Sequence, residues 1–213
     1  MRRFMQISIT LNNISKKYIN EWIFKDLSYT IKPADKLVIL GSNGSGKSTL
    51  LQTIASYLIP TKGEIAWKNA NEKIADEEIY KKFSMASPYM ELIEDFTLTE
   101  LVGHQRTFKP FLNGFSASEI IAIMELDHAA AKYLKNYSSG MRQRVKLGLA
   151  VLADCPVLLL DEPCTNLDAR SMAWYQNIIQ QFALHKTIVV CSNTVKEEYA
   201  FCTTSLEVEK FKS

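Results

Sequence analysis

Hydrophobic and polar positions along this chain change period several times, and the changes mark out alternating strands and helices. Ile7, Ile9 and Leu11 alternate with polar residues, the two-residue period of an amphipathic strand. Tyr18 falls in the connection after it. Residues 23–31 read as a second strand, closed by the turn residues Lys32-Pro33-Ala34-Asp35. Lys36-Leu37-Val38-Ile39-Leu40 is a short apolar run, the pattern of a buried strand, and residues 50–58 have apolar positions at helical spacing. Pro60-Thr61-Lys62-Gly63 reads as a turn before a short strand at 64–67. From about 69 to 136 strand-like runs become scarce and charged helical patterns dominate. That stretch reads as a mostly helical insertion, with its first part open to belonging to the core. Within it, Ser116 followed by Glu119 forms a capping box, and Leu98, Leu101 and Val102 mark another helix face. Residues 138–153 and 169–184 are helical patterns, the second with Asp168 as N-cap. Between them Val157-Leu158-Leu159-Leu160 is an unbroken apolar strand ending in Asp161-Glu162. A β-branched strand at 187–191, a short helix at 197–202 and a last strand at 205–208 complete the series. Strands alternating with helices predict an α/β fold with a mainly parallel sheet, an N-terminal antiparallel β region and an inserted helical lobe.

Between the strand at 36–40 and the helix at 50–58 lies Gly41-Ser42-Asn43-Gly44-Ser45-Gly46-Lys47-Ser48-Thr49, which fits the phosphate-loop pattern G-x-x-x-x-G-K-[ST] at every fixed position. Glycines let the backbone curl so that several N–H groups converge on phosphate oxygens. Lys47 adds a cation for the β- and γ-phosphates, and the Ser48 hydroxyl is placed to ligate Mg²⁺. A helix starting near Lys47 points the positive end of its dipole at the same anion. Asp161 and Glu162 close their strand at its carboxyl end, where ligands bind in open α/β sheets. One carboxylate suits Mg²⁺, and its neighbour suits an attacking water.

Composition narrows the class without changing it. The chain has 213 residues, 47% of them apolar, enough for one domain with a sizeable core. A net charge of +2 gives no ground for expecting nucleic acid as a partner. Met1-Arg2-Arg3-Phe4 is basic, but no apolar stretch follows, so no signal peptide is expected. No apolar run approaches the roughly 20 residues of a membrane-spanning helix, so a membrane role is expected to need a partner. Cys155, Cys164, Cys191 and Cys202 are widely spaced, which predicts reduced thiols, and the three histidines show no metal-ligand spacing.

With these motifs in place the chain resembles an ATP-binding-cassette (ABC) ATPase over nearly its whole length. Tyr137-Ser138-Ser139-Gly140-Met141-Arg142-Gln143-Arg144 resembles the family signature Leu-Ser-Gly-Gly-Gln with its trailing x-Gln-Arg. Ser138 and Gly140 keep the pattern; Tyr137, Ser139 and Met141 depart from it. Asn166-Leu167-Asp168 resembles the D-loop, and Tyr18 falls where the family stacks an aromatic on adenine, a half-buried packing tyrosine being the alternative. The resemblance implies a single ABC ATPase domain over 1–213, with a helical subdomain at about 84–153 that includes the signature helix. It implies ATP and Mg²⁺ as ligands, with the nucleotide held by Tyr18, by Gly41, Ser42, Asn43, Gly44, Ser45, Gly46, Lys47, Ser48 and Thr49, and by Ser138, Ser139 and Gly140 from a second subunit. Glu162, Lys47 and Asn193 are the implied catalytic group, and Ser48, Asp161 and Ser87 the metal group.

Two of these positions depart from the family. Ser87 stands where a Gln usually contacts the metal and the water, and is too short to reach without a bridging water. Asn193 stands where a His usually contacts the γ-phosphate. Its amide can donate but carries no charge. Slow or partner-dependent hydrolysis is therefore expected. The implied partners are integral-membrane transporter subunits and a second cassette, as homodimer or heterodimer, with the chain on the inner face of the membrane. A regulatory ABC module with weak hydrolysis and a soluble non-transport ABC ATPase are the alternatives. The loop 87–97, with Tyr89, Met90, Leu92, Ile93 and Phe96, is either a docking patch for a membrane subunit or part of the lobe's own core.

Overall fold

The computed structural model describes residues 6–212; the basic start at Met1-Arg2-Arg3-Phe4 lies outside the described residues. Two sheets organise it. The antiparallel sheet has the order β2-β1-β4-β5, from β1 (Ile7–Tyr18), β2 (Glu21–Ile31), β4 (Lys62–Asn69) and β5 (Glu72–Lys73). The second sheet has the order β6-β7-β8-β3-β9 and is parallel throughout, from β3 (Lys36–Leu40), β6 (Phe83–Ala86), β7 (Val157–Asp161), β8 (Thr187–Ser192) and β9 (Thr204–Glu207). The first part of the predicted helical stretch thus belongs to the sheets, as β5 and β6. The helices are α1 (Lys47–Ile54), α2 (Leu98–Phe108), α3 (Ala117–Ile123), α4 (Ser139–Leu152), α5 (Ala169–Phe182) and α6 (Lys196–Tyr199).

The apolar runs of β7 and β8 are explained by cover on both faces. Val157, Leu159, Val189 and Cys191 turn to a core shared with the antiparallel sheet and α1, including Phe24, Trp67 and Leu50. Leu158, Leu160, Ile188 and Val190 turn to the opposite side, against Tyr175, Ile178 and Ile179 of α5 and Leu147 and Val151 of α4. A third cluster joins α2, α3 and the outer face of α4 through Val102, Ile120, Leu126 and Val145. Helix α4 therefore packs against both the sheet and the helical region.

Three local expectations are corrected. Tyr18 ends β1 instead of lying in a connection; register shifts between Leu11 and Lys17 break the alternation there while the pairing with β2 continues. Helix α1 stops at Ile54, because Ser56 takes a positive φ of 61°. The last strand is Thr204–Glu207, with Val208 starting a 3₁₀ turn. The Ser116–Glu119 capping box is present, and a second one, Thr97–Glu100, opens α2.

Candidate nucleotide site

The phosphate loop leaves β3 at Leu40 and enters α1 at Lys47. Gly44 and Gly46 have φ of 77° and 101°, the left-handed region where a side chain is strained. A Cβ on Gly46 would also run into the Ile23 side chain of β2. Gly46 is the N-cap of α1 and supplies no side-chain cap, so the first amides of the helix remain available to an anion. The Lys47 side chain is 4% exposed, donates to the carbonyls of Gly41 and Ser42 at 3.0 Å each, and lies 3.9 Å from Glu162 Oε1. Parallel pairing of β3 with β8, and of β8 with β7, brings Lys47 and the Asp161-Glu162 pair to one edge of the sheet.

Asp161 is buried at the end of β7. Ser87 Oγ donates to its Oδ2 at 3.3 Å, and the Ser48 hydroxyl bonds it as well, while Oδ1 has no hydrogen-bond partner. Burial pushes its carboxyl above the usual range and the Glu162 charge adds to this, against the two hydroxyls and Lys47. A buried, unpartnered carboxylate oxygen beside a hydroxyl is an oxygen donor set that fits Mg²⁺. Glu162 follows at a φ of 43°, its amide held by Cys191 O at 2.9 Å, and its side chain is 30% exposed. Asn193, just past β8, donates through Nδ2 to Asn43 Oδ1 at 3.2 Å, which puts it on the rim of the phosphate loop.

Tyr18 is 46% exposed, with Lys16 Nζ 5.3 Å from its ring centroid, and no hydrogen bond or ion pair among the described residues joins it to the phosphate loop. Ser138 caps α4, accepting from the Met141 amide at 3.2 Å. A cavity of about 640 Å³ opens there, lined by Ser138, Ser139, Gly140, Arg144, Asn166 and Asp168. A Cβ on Gly140 would meet Asn166 O at 3.2 Å, so the signature and D-loop segments sit close. Among the described residues no hydrogen bond or ion pair links Ser138, Ser139 or Gly140 to the Lys47 group. The predicted residues other than Tyr18 therefore form two groups, one around Lys47 and one around Ser138.

Two further residues touch the first cluster and carry no motif. Glu198 is 2% exposed; its Oε1 accepts from the Cys164 amide at 3.0 Å, while Oε2 has no hydrogen-bond partner. It ties the segment after Glu162 to α6, and burial pushes its carboxyl up. Glu209 accepts from the amide and hydroxyl of Ser42 at 3.0 and 2.5 Å, and these bonds hold its carboxyl below the usual range. Neither position follows from local periodicity, since only the tertiary fold brings 198 and 209 to the loops. The four cysteines are free. Among the described residues no helix is long and apolar enough to cross a membrane.

The family model described as ABC transporter matches residues 24–165. The Nod factor export ATP-binding protein I of Rhizobium johnstonii is 29% identical over 201 residues, 92% of this chain and 64% of that protein. The sn-glycerol-3-phosphate import ATP-binding protein UgpC of Bartonella bacilliformis is 33% identical over 170 residues, 78% of this chain and 49% of that protein. The chain thus spans two thirds or less of the length of these two relatives. A bacterial ABC transporter cassette solved as a dimer aligns with a TM-score of 0.79 at 25% identity, covering 94% of this chain and 95% of that one. The same cassette, in a dimeric post-hydrolysis state bound to ADP and Pi, aligns with a TM-score of 0.80.

Proposed function

The chain belongs to the ABC transporter family and is an ATP-binding protein of the ATPase type, and from that premise we propose how its residues bind and hydrolyse ATP. The observation that carries the reading is the convergence of Lys47, Ser48, Asp161 and Glu162 at one edge of the parallel sheet, with Asp161 Oδ1 buried and unpartnered.

In this reading the loop from Gly41 to Thr49 cradles the phosphates and Tyr18 stacks on adenine. Lys47 exchanges the carbonyls of Gly41 and Ser42 for β- and γ-phosphate oxygens. Ser48 and Asp161 hold Mg²⁺, with Ser87 adding a contact through water. When bound, Mg²⁺ supplies charge neutralisation at the phosphate oxygens. Glu162 takes the proton of the attacking water, and Asn193 turns its amide from Asn43 to the γ-phosphate. Ser138, Ser139 and Gly140 close on that phosphate from a second subunit, offering the start of α4 to the anion. The lobe that carries this helix is the 84–153 subdomain less Ser84, Met85 and Ala86, which belong to β6 of the parallel sheet.

The wider role is an energy-coupling subunit, cytoplasmic and peripheral on the membrane through separate membrane-spanning partners. Two of the similar proteins are named as export and import ATP-binding proteins, which supports transport and leaves its direction open. Tyr89 is 81% exposed and Met90 and Ile93 each 42%, whereas Leu92 and Phe96 pack on the helical core. The first three form the docking patch in this reading, and the last two belong to the lobe. The test is Glu162→Gln with MgATP: it is expected to keep nucleotide binding, lose phosphate release by about 10²-fold or more, and accumulate as a dimer on size exclusion. Absence of Mg²⁺-dependent ATP binding in calorimetry defeats the proposal.

A further inference from the structure

The turn joining β1 to β2 carries an isoleucine that the fold does not need there. Ile19 has a φ of 50°, the left-handed region that two-residue hairpin turns fill with Asn or Gly, and where a β-branched side chain is strained. The same side chain is 94% exposed, so no packing offsets the strain. The loop before β4 lies alongside: Lys16 Nζ donates to Ile59 O at 2.7 Å, and the Lys17 amide to Thr61 Oγ1 at 3.0 Å. Ile59 is 82% exposed.

Positive charge is concentrated around Trp22 and Tyr18, which flank the turn. The ammonium groups of Lys17, Lys25 and Lys62 lie 5.5, 5.4 and 5.7 Å from the centroid of the Trp22 ring, and Lys16 stands over Tyr18. None of the four lysines forms an ion pair among the described residues, although Glu21 and Glu64 occupy the same strands.

We propose that this corner is a docking surface for an anionic lipid layer, made by the chain directly and in addition to any contact through a protein partner. Aliphatic tips enter the acyl boundary, an aromatic ring sits at headgroup level, and lysines meet lipid phosphates over long apolar stems. A segment that is acidic throughout, such as polyglutamate, would use the lysines and leave both isoleucines in water. The proposal does not depend on nucleotide turnover.

The experiment is co-sedimentation of the full chain with phosphatidylcholine vesicles, with and without phosphatidylglycerol. Binding is expected only to the anionic vesicles and is expected to weaken with salt. Trp67 and Trp174 are buried, so a blue shift of emission on binding reports Trp22. Ile19→Asn places a turn-favouring residue at the tip. It is expected to keep or raise the melting temperature while lowering vesicle partitioning about tenfold, the effect of exposing one buried isoleucine. Lys25→Gln or Lys62→Gln is expected to lower partitioning about fivefold each. Three results overturn the proposal: equal sedimentation with both vesicle types, Ile19→Asn binding like its parent, or binding to polyglutamate without binding to anionic vesicles. ATP binding measured on the same Ile19→Asn sample keeps this outcome separate from the nucleotide reading.

Discussion

Burial decides what Asp161 does in the nucleotide-free chain. Its carboxyl is pushed above its unfolded value, so the native state holds the proton more tightly than the unfolded state. Stability then falls as pH rises from the unfolded value through the folded one, and the cost is fully present above both. Asp161→Asn removes that charge. The variant is expected to be more stable than its parent at pH 7, with the advantage shrinking as pH falls toward the unfolded value of 3.8. Thermal melts across pH read this directly, and the same variant is expected to lose Mg²⁺-dependent phosphate release. A variant less stable than its parent at neutral pH would remove the case for Asp161 as a buried oxygen kept for a cation. In the proposed function, Asn193 is a second residue whose chemistry bears on the rate. It is a neutral donor where a histidine can carry charge, and a hydrogen bond to or from a charged group is stronger by about 1 kcal/mol. Asn193→His is expected to raise steady-state phosphate release about fivefold below the histidine's pKa, and to lose the gain above it.

Individual elements were legible where chemistry is local and illegible where it is tertiary. The phosphate loop, the Ser116–Glu119 box, the Ser138 and Asp168 caps and the apolar run of β7 all follow from neighbours within a few residues. The bulged half of β1 did not, because irregular pairing with β2 destroys the alternation that identifies a strand. Nor did β6, whose Phe-Ser-Met-Ala is too short to declare a period; it is a strand because β7 pairs with it. Glu198 and Glu209 reach the candidate site only through packing. Helix α4 combines both kinds of information. Ser138 is a sound N-cap on local grounds, so its presence alone does not prove a ligand role. Substitution by two different residues separates the roles. Ser138→Ala loses the cap and is expected to cost about 1 kcal/mol of stability. Ser138→Asp keeps a cap but sets a negative charge where a phosphate is to sit. It is expected to melt like its parent in chemical denaturation while failing to form the MgATP dimer on size exclusion. If Ser138→Asp dimerises normally, Ser138 is a cap and nothing more.

Across the whole molecule, no hydrogen bond or ion pair among the described residues joins the Lys47 and Ser138 clusters, and the proposed function answers this with a second copy. In that proposal a single chain holds one half of each of two sites, and head-to-tail pairing about a twofold axis completes both. This has a consequence that no single-subunit mechanism shares. Lys47→Ala and Ser138→Asp each disable both sites of their own homodimer. When the two proteins are mixed, a heterodimer has one site in which both defects meet and one in which both partners are intact. Neither variant is expected to form an MgATP dimer with itself, so the dimers in the mixture are heterodimers with one intact site of two, and the mixture is expected to recover at most about half of the parent phosphate release if the two sites act independently. Recovery must also depend on total protein concentration, since it passes through association. If each chain instead hydrolysed ATP with its own Ser138, mixing would restore nothing. If Ser138 only capped its helix, the Ser138→Asp protein would be active before mixing. Phosphate release from the two variants, alone and combined across a concentration series, distinguishes all three arrangements.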